Sequence, residues 1–139
     1  MAKIEKFEDM EIWQLAREIC MDVWSLIDNT PLNKDYKLRE QINKSSGSVM
    51  DNIAEGYERD GNKEFINFLS IAKASNGETR SQLYRCLDRK YINQETFNKI
   101  SSKLLTNSRK IKSFMKFNIF WNIICITSHH IVYTNYFVA

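Results

Sequence analysis

The sequence predicts an all-α protein, an antiparallel up-down-up-down four-helix bundle over residues 1–116. Its 139 residues include one proline and four glycines, so the regular elements are expected to be few and long. Four stretches repeat apolar residues every three or four positions, the period of an amphipathic helix. Few residues separate these stretches, and short connections between long helices make neighbours antiparallel.

The first two helices surround the chain's proline. Helix one is predicted from Asp9 to Asp28, because Pro31 cannot extend it. Helix two is predicted from about Asn33 to Glu58 or Arg59. The small residues at 45–48 (Ser-Ser-Gly-Ser) lower helix propensity in its middle, which predicts close approach by another helix or by aromatic side chains.

The last two helices follow the Asp60-Gly61-Asn62 turn. Helix three is predicted from about Lys63 to Lys90, in one piece, with a tight contact at Gly77. Helix four is predicted to begin after Asn93, whose side chain can cap it, and to continue to Lys116 with apolar residues in a bundle-type heptad.

The composition changes after Lys116. Residues 117–139 contain no Lys, Arg, Asp or Glu, and Asn and His residues interrupt the apolar ones, which makes a poor membrane span. Three interpretations stay open: a non-native or read-through extension, an additional packing segment, or a membrane or partner contact. We expect no membrane partner for the protein.

The charge is unevenly distributed. Residues 1–78 hold 15 acidic and 10 basic side chains, whereas residues 79–139 hold 2 acidic and 10 basic ones. In helix one, Glu11, Glu18 and Asp22 form an acidic stripe. This asymmetry predicts either an anionic partner for the basic part or acid–base pairing between parts, including between subunits.

Few residues here suit catalysis or metal binding. The two histidines, His129 and His130, follow the predicted bundle, and no Glu-x-x-His or phosphate-binding loop motif occurs. Three cysteines, Cys20, Cys86 and Cys125, are widely spaced, which indicates neither a zinc site nor a disulfide framework. We expect no enzyme activity and no cofactor. The amino terminus has no apolar run, so a cytoplasmic location is expected.

Three blocks of the sequence resemble a known family. They read Tyr36-x-Leu38-x-x-Gln41, then Ser48-Val49-x-x-Asn52-Ile53-Ala54-Glu55-Gly56-Tyr57-x-Arg59, then Lys63-Glu64-Phe65-x-x-Phe68-Leu69-x-Ile71-Ala72, with Glu78 beyond. Over about Phe7 to Lys116 the chain is similar to the four-helix bundle proteins encoded in intervening sequences of bacterial 23S ribosomal RNA genes. The uncharged tail has no counterpart in that family.

The resemblance implies a left-handed bundle that commonly forms a homopentamer, with no established enzymatic activity. A related protein, the accessory variability determinant of diversity-generating retroelements, has a similar pentameric barrel and binds nucleic acid and a reverse transcriptase. RNA or DNA, and a protein partner such as a reverse transcriptase, are therefore the expected partners by analogy of fold.

Two sets of candidate residues follow. A basic face on helices three and four is the candidate nucleic-acid site, with Lys90 and Lys116 as further members of the same basic set. It consists of Arg80, Arg85, Arg89, Lys99, Lys103, Arg109, Lys110 and Lys112. The alternatives are a solvated face, or docking against the acidic stripe of helix one in a neighbour. The second set is structural in our interpretation, and its alternative role is to face a shared pore or a partner. It consists of Asn52, Glu55, Gly56, Arg59 and Glu78.

The predicted function is a non-enzymatic, oligomeric scaffold that binds RNA or a nucleoprotein through that basic face. The alternative is a protein–protein interaction module that binds no nucleic acid. Within the structural set, Glu55 and Arg59 are one helical turn apart and are expected to form an ion pair. Asn52 is expected to set the helix register, as polar residues do in coiled-coil seams.

Overall fold

The computed structural model describes residues 3–127, with side chains up to Phe120. It contains four long helices: α1 (Glu11–Asn29), α2 (Tyr36–Glu58), α3 (Asn62–Asp88) and α4 (Gln94–Thr127). Short 3₁₀ turns at Phe7–Asp9 and Pro31–Lys34 precede α1 and α2. The described range contains no β-strand, so the predicted all-α fold with four long helices is confirmed.

Contacts between neighbouring helices run in opposite order along the chain. Arg85 of α3 donates to Gln41 near the start of α2, whereas Ser75, earlier in α3, bonds to Ser48, later in α2. The contacts of α4 with α1 and with α3 show the same reversal. The four helices therefore alternate in direction.

The beginning of α2 differs from the prediction. It lies at Tyr36 rather than near Asn33, because Pro31–Lys34 form a 3₁₀ turn in which the proline occupies the first position. Asp35 then caps α2, since its Oδ1 accepts a hydrogen bond from the Leu38 amide at 3.3 Å.

The beginning of α4 is as predicted, but the helix is longer. Asn93 Oδ1 accepts from the Thr96 amide at 2.9 Å, which confirms the expected cap. The helix continues past Lys116 to Thr127. Residues 128–139 lie outside the described residues, so the division of the chain at residue 116 stays a prediction.

The core consists of two apolar clusters with buried polar side chains between them. One cluster includes Ile42 and Leu104, and the other includes Val49 and Ile111. The buried polar residues of α2, α3 and α4 that lie between the clusters are Ser45, Ser46, Ser75, Asn76, Thr79 and Asn107. We call these six residues the polar layer. Ser45 bonds to Gln82 at 2.5 Å and to Thr79 at 2.8 Å, so α2 and α3 meet here through hydroxyl and amide groups.

The glycine at which two helices come closest is Gly56, not Gly77 as predicted. A Cβ added at Gly47 or Gly77 would meet no atom within 4 Å, so the expectation of a close approach at Gly77 is wrong, although α3 is continuous there as predicted. At the small residues 45–48 another helix does approach closely, as predicted: Ser45 and Ser48 both bond to side chains of α3. The close approach occurs at Gly56, where an added Cβ would lie 2.6 Å from Phe68 Cβ.

Candidate nucleic-acid interface

One side of α3 carries cations that face the boundary with α4. Asn76 of α3 donates to the Leu104 carbonyl of α4, and Tyr84 packs against Phe97 with ring centroids 4.7 Å apart. Arg80 lies four residues from each of them and therefore on the same side of the helix. Lys73 precedes Arg80 by seven residues, two turns earlier on this side.

The facing side of α4 carries three more cations. Lys110 contacts α1, and Lys112, two residues later, lies about 200° around the helix and so on the flank away from α1. Arg109 and Lys116 lie three residues before and four residues after Lys112, which places all three along one side. Each of the three side chains is exposed.

The antiparallel alignment of α3 and α4 brings the two groups together. Asn62 bonds to Asn118 and Asn76 bonds to Leu104, so Arg80 lies level with about residue 100 of α4. From that level to Lys116 the surface is about 24 Å long at 1.5 Å per residue. We call it the cationic stripe. It comprises Lys73, Arg80, Arg109, Lys112 and Lys116.

No carboxylate within residues 3–120 forms an ion pair with the cationic stripe. On α3, Glu78 accepts from Gln82, which bonds toward α2, and Glu64 acts electrostatically on Arg59, which directly follows α2. The other carboxylates of α3 and α4, Asp88 and Glu95, lie beyond Tyr84 near the connection between these helices. Five like charges thus line one surface with no carboxylate paired to them in the described part of the chain.

Two predicted cations of α4 are used within the chain. Lys103 Nζ lies 2.7 Å from Asp22 and 3.6 Å from Glu18, and Lys110 pairs with Glu11. The hydrogen bond to Asp22 raises the pKa of Lys103, and the hydrogen bond from Lys110 lowers the pKa of Glu11. The acidic stripe of helix one is therefore matched by lysines of the same chain.

Two predicted cations of α3 face the other way, toward α2. Arg85 Nη2 donates to Gln41 at 2.5 Å, and Arg89 pairs with Asp35, which also accepts from the Tyr91 hydroxyl at 3.1 Å. Burial opposes ionisation of Asp35, but its hydrogen bonds outweigh that effect and lower its pKa.

The eight predicted cations therefore do not share one face. Arg80, Arg109 and Lys112 belong to the cationic stripe, whereas Arg85 and Arg89 lie toward α2 and Lys103 and Lys110 lie toward α1. Lys99 is exposed one turn before Lys103, on the α1 side of α4. The eight cations are close together along the sequence, but successive residues of a helix point about 100° apart. They therefore lie on different faces of the bundle.

Sequence reasoning did not include Lys73. Its signal was present, since it shares with Arg80 the seven-residue spacing that places both on one side of a helix. The predicted basic set began at Arg80 because residues 1–78 as a whole carry more acidic than basic side chains.

The family-motif residues make structural contacts between and within helices. Gly56 is buried, and an added Cβ would lie 3.0 Å from the Phe65 ring and closer still to Phe68. Asn52 Nδ2 donates to the Ser48 carbonyl at 2.7 Å and to the Ser48 hydroxyl at 2.9 Å. This orients the hydroxyl that bonds to α3.

The charged members of the motif lie at the surface. Arg59 donates to Glu55 at 2.9 Å, which confirms the predicted ion pair, and its guanidinium lies 5.3 Å from the Phe68 ring centroid. Glu78 is exposed and accepts from Gln82 at 3.2 Å. This hydrogen bond to Glu78 orients the Gln82 side chain, which in turn bonds to Ser45.

Comparison with known proteins identifies the family. The model of the 23S rRNA-intervening sequence protein family matches residues 8–113, which include α1 to α3 and most of α4. The chain belongs to this family. Among curated proteins, none is detectably similar to it.

A solved structure shares the fold of this 23S rRNA-intervening sequence protein. It is the crystal structure of a protein of unknown function from the S23 ribosomal protein family of Bacteroides thetaiotaomicron VPI-5482, with a TM-score of 0.69. The sequences are 23% identical, and the match covers 76% of this chain and 98% of the Bacteroides chain. At this identity the likeness establishes a common bundle.

Two features of the chain bear on its surroundings. None of the helices in the described part combines the length and the apolar character required to span a bilayer. His129 and His130, the only histidines of the chain, lie outside the described residues.

Proposed function

We propose that this protein is a non-enzymatic, cytoplasmic scaffold that binds RNA through the cationic stripe. The observation that carries the proposal is the alignment of five cations from two helices with no carboxylate paired to them among residues 3–120. Such a surface costs some stability through repulsion between like charges, and a polyanion relieves that repulsion.

The stripe suits recognition of the phosphate backbone rather than of a base sequence. Its members are Lys and Arg side chains, which bind phosphates, and the surface is straight because it follows two helices. At its end lies Tyr84, which is 52% exposed and one turn from Arg80, where a base can stack on its ring. We therefore expect binding with weak sequence preference.

Fluorescence anisotropy with labelled RNA and DNA oligonucleotides at several salt concentrations tests the proposal. Five phosphate contacts on a single strand predict a slope of about −3.5 for log K against log salt. In the double variant Arg80→Glu, Lys112→Glu, affinity should fall by more than about tenfold and the slope should lessen by roughly 1.4.

The matched control is Lys37→Glu, Lys44→Glu, which changes the net charge equally on exposed positions of α2. It should retain most of the affinity. Equal losses in both double variants, or no binding of RNA or DNA at low salt, would overturn the proposal and leave the protein–protein interaction module as the function.

Self-association is the second part of the proposal. Met21 and Trp24 of α1 are 56% and 58% exposed and lie three residues apart, so they form one apolar surface. We propose that this surface contacts another subunit, which in a ring would repeat the cationic stripe around the assembly. Light scattering of Trp24→Glu against Ile71→Glu, at an exposed apolar position of α3, tests it: a lower mass is expected only for Trp24→Glu.

A further inference from the structure

A groove lies between the amino-terminal residues and the second half of α4. Its volume is about 620 Å³. Its apolar lining residues are Ile4, Met10, Ile12, Phe114 and Phe117. Ser113 and the charged residues Asp9, Glu11, Lys110 and Arg109 complete the lining, so Arg109 borders both this groove and the cationic stripe. The groove is thus apolar inside and polar at its margin, and Lys110 and Glu11 already pair with each other there.

The same end of the bundle is where α4 extends beyond its neighbours. The Asn118 carbonyl accepts from Asn62, the first residue of α3, at 3.1 Å. From Asn118 the helix continues to Thr127, about 14 Å farther at 1.5 Å per residue. Ile119 and Phe120, at the beginning of this extension, are 45% and 61% exposed.

The chain beyond Thr127 has the composition and the length to return to the groove. Residues 128–139 carry no Lys, Arg, Asp or Glu, and half of them are Ile, Val, Tyr or Phe. Thr127 lies about 15 Å along α4 from Phe117, a distance that about five extended residues cover. About seven residues then remain, with Tyr136 and Phe137 among them, to lie along the groove.

We propose that residues 128–139 fold back along α4 and occupy this groove. Their aromatic and aliphatic side chains contact Phe114 and Phe117, the partly exposed apolar residues of the lining, which removes apolar surface of both partners from water. Because the segment is uncharged, it enters without displacing the ion pair between Lys110 and Glu11.

The segment of the same chain is the favoured occupant because it is tethered. A short tether holds a segment at an effective concentration in the millimolar range, well above that of a second copy in dilute solution. The same segment from a second copy would meet the same groove, and its docking is an outcome that the experiment distinguishes.

Photo-crosslinking of the full chain tests the proposal. With p-benzoylphenylalanine in place of Tyr136, irradiation should produce cross-links within one chain to residues 4–12 or 109–117, identified by mass spectrometry. The same group in place of Tyr36, which is exposed at the far end of α1 and α2, should give none to these residues. In Ser113→Trp the added side chain fills the groove, and the yield from position 136 should fall about tenfold.

Circular dichroism verifies that Ser113→Trp keeps its helices, which is expected because Ser113 is exposed. Cross-links that join two chains, cross-links to other surfaces, or no cross-links would each overturn the proposal. Its outcome is independent of RNA binding, since the cross-linking is carried out without nucleic acid.

Discussion

Lys103 of α4 and Asp22 of α1 form an ion pair at 2.7 Å, in which both side chains are less than one-third exposed. Glu18 lies 3.6 Å from the same ammonium. Lys103 therefore holds α4 to α1, and its positive charge is already compensated within the chain. This divides the cations of α4 into those that stabilise the bundle and those that are available to a phosphate.

Lys103→Ala should lower stability with little effect on RNA binding. Loss of the partly shielded pair is expected to cost about 1 kcal/mol in the free energy of unfolding, measured by urea denaturation. Lys99→Ala is the matched control, because Lys99 is exposed one turn away and has no ion pair among the described residues. A loss of affinity in Lys103→Ala as large as in the stripe variants would contradict the division of the cations.

Gly56→Ala should destabilise the protein although alanine is the better helix former. The new Cβ would lie 2.6 Å from Phe68 Cβ, so α2 and α3 must separate, at an expected cost of about 1–3 kcal/mol. Gly47→Ala is the control on the same helix: its Cβ meets nothing, and a gain of up to about 1 kcal/mol is expected. Thermal unfolding of both variants measures this, and a stabilised Gly56→Ala would refute the close approach.

Asn107→Leu should raise stability. Asn107 is fully buried in the polar layer, and neither polar atom of its side chain has a hydrogen-bond partner among the described residues. Leucine has the same branched shape and number of side-chain heavy atoms and removes the cost of burying the amide, so a gain of about 1–2 kcal/mol is expected. Asn76→Leu should lower stability instead, because Asn76 donates to the Leu104 carbonyl at 2.6 Å. Chemical denaturation compares the two, and a loss in Asn107→Leu would contradict the prediction.

Stability should fall in alkaline solution through Cys86. Burial raises the pKa of this thiol from 9.0 to about 11, so the folded protein keeps a proton that the unfolded chain releases. The contribution is fully present below pH 9 and is lost as the pH rises toward 11, by about 2–3 kcal/mol in total. Cys86→Ala removes this contribution. The difference in the free energy of unfolding between the wild-type protein and Cys86→Ala should therefore decrease between pH 9 and pH 11. A constant difference would contradict the raised pKa.

The sequence was sufficient to predict the four helices, but not to predict which side chains of different helices share an exposed surface. Apolar spacing predicted four helices, and local chemistry predicted the Asn93 cap and the pair of Glu55 and Arg59. These depend on neighbours within one helix. The grouping of Lys73 with Arg109 depends on how far α3 is displaced along α4, which contacts such as Asn76 with Leu104 determine. The residue pattern of a single helix does not determine how far that helix is displaced along its neighbour.

The glycines illustrate the same limit. Gly47, Gly56 and Gly77 all lie inside helices, and each lowers helix propensity to a similar degree. Only Gly56 faces two phenylalanines of α3 at close range. The difference between them lies in the partner helix, which the local sequence does not specify.

The polar layer also fixes the sliding position of one helix against another. Apolar side chains such as Ile42 and Leu83 tolerate many neighbours, so a shift of α3 by one turn, about 5.4 Å, would cost them little. The same shift would separate Ser45 from Thr79 and leave their buried hydroxyl groups without this hydrogen bond. The buried hydrogen bonds thereby disfavour arrangements in which one helix is shifted along another. Because they fix this alignment, they also determine how far apart charges on two different helices lie at the surface.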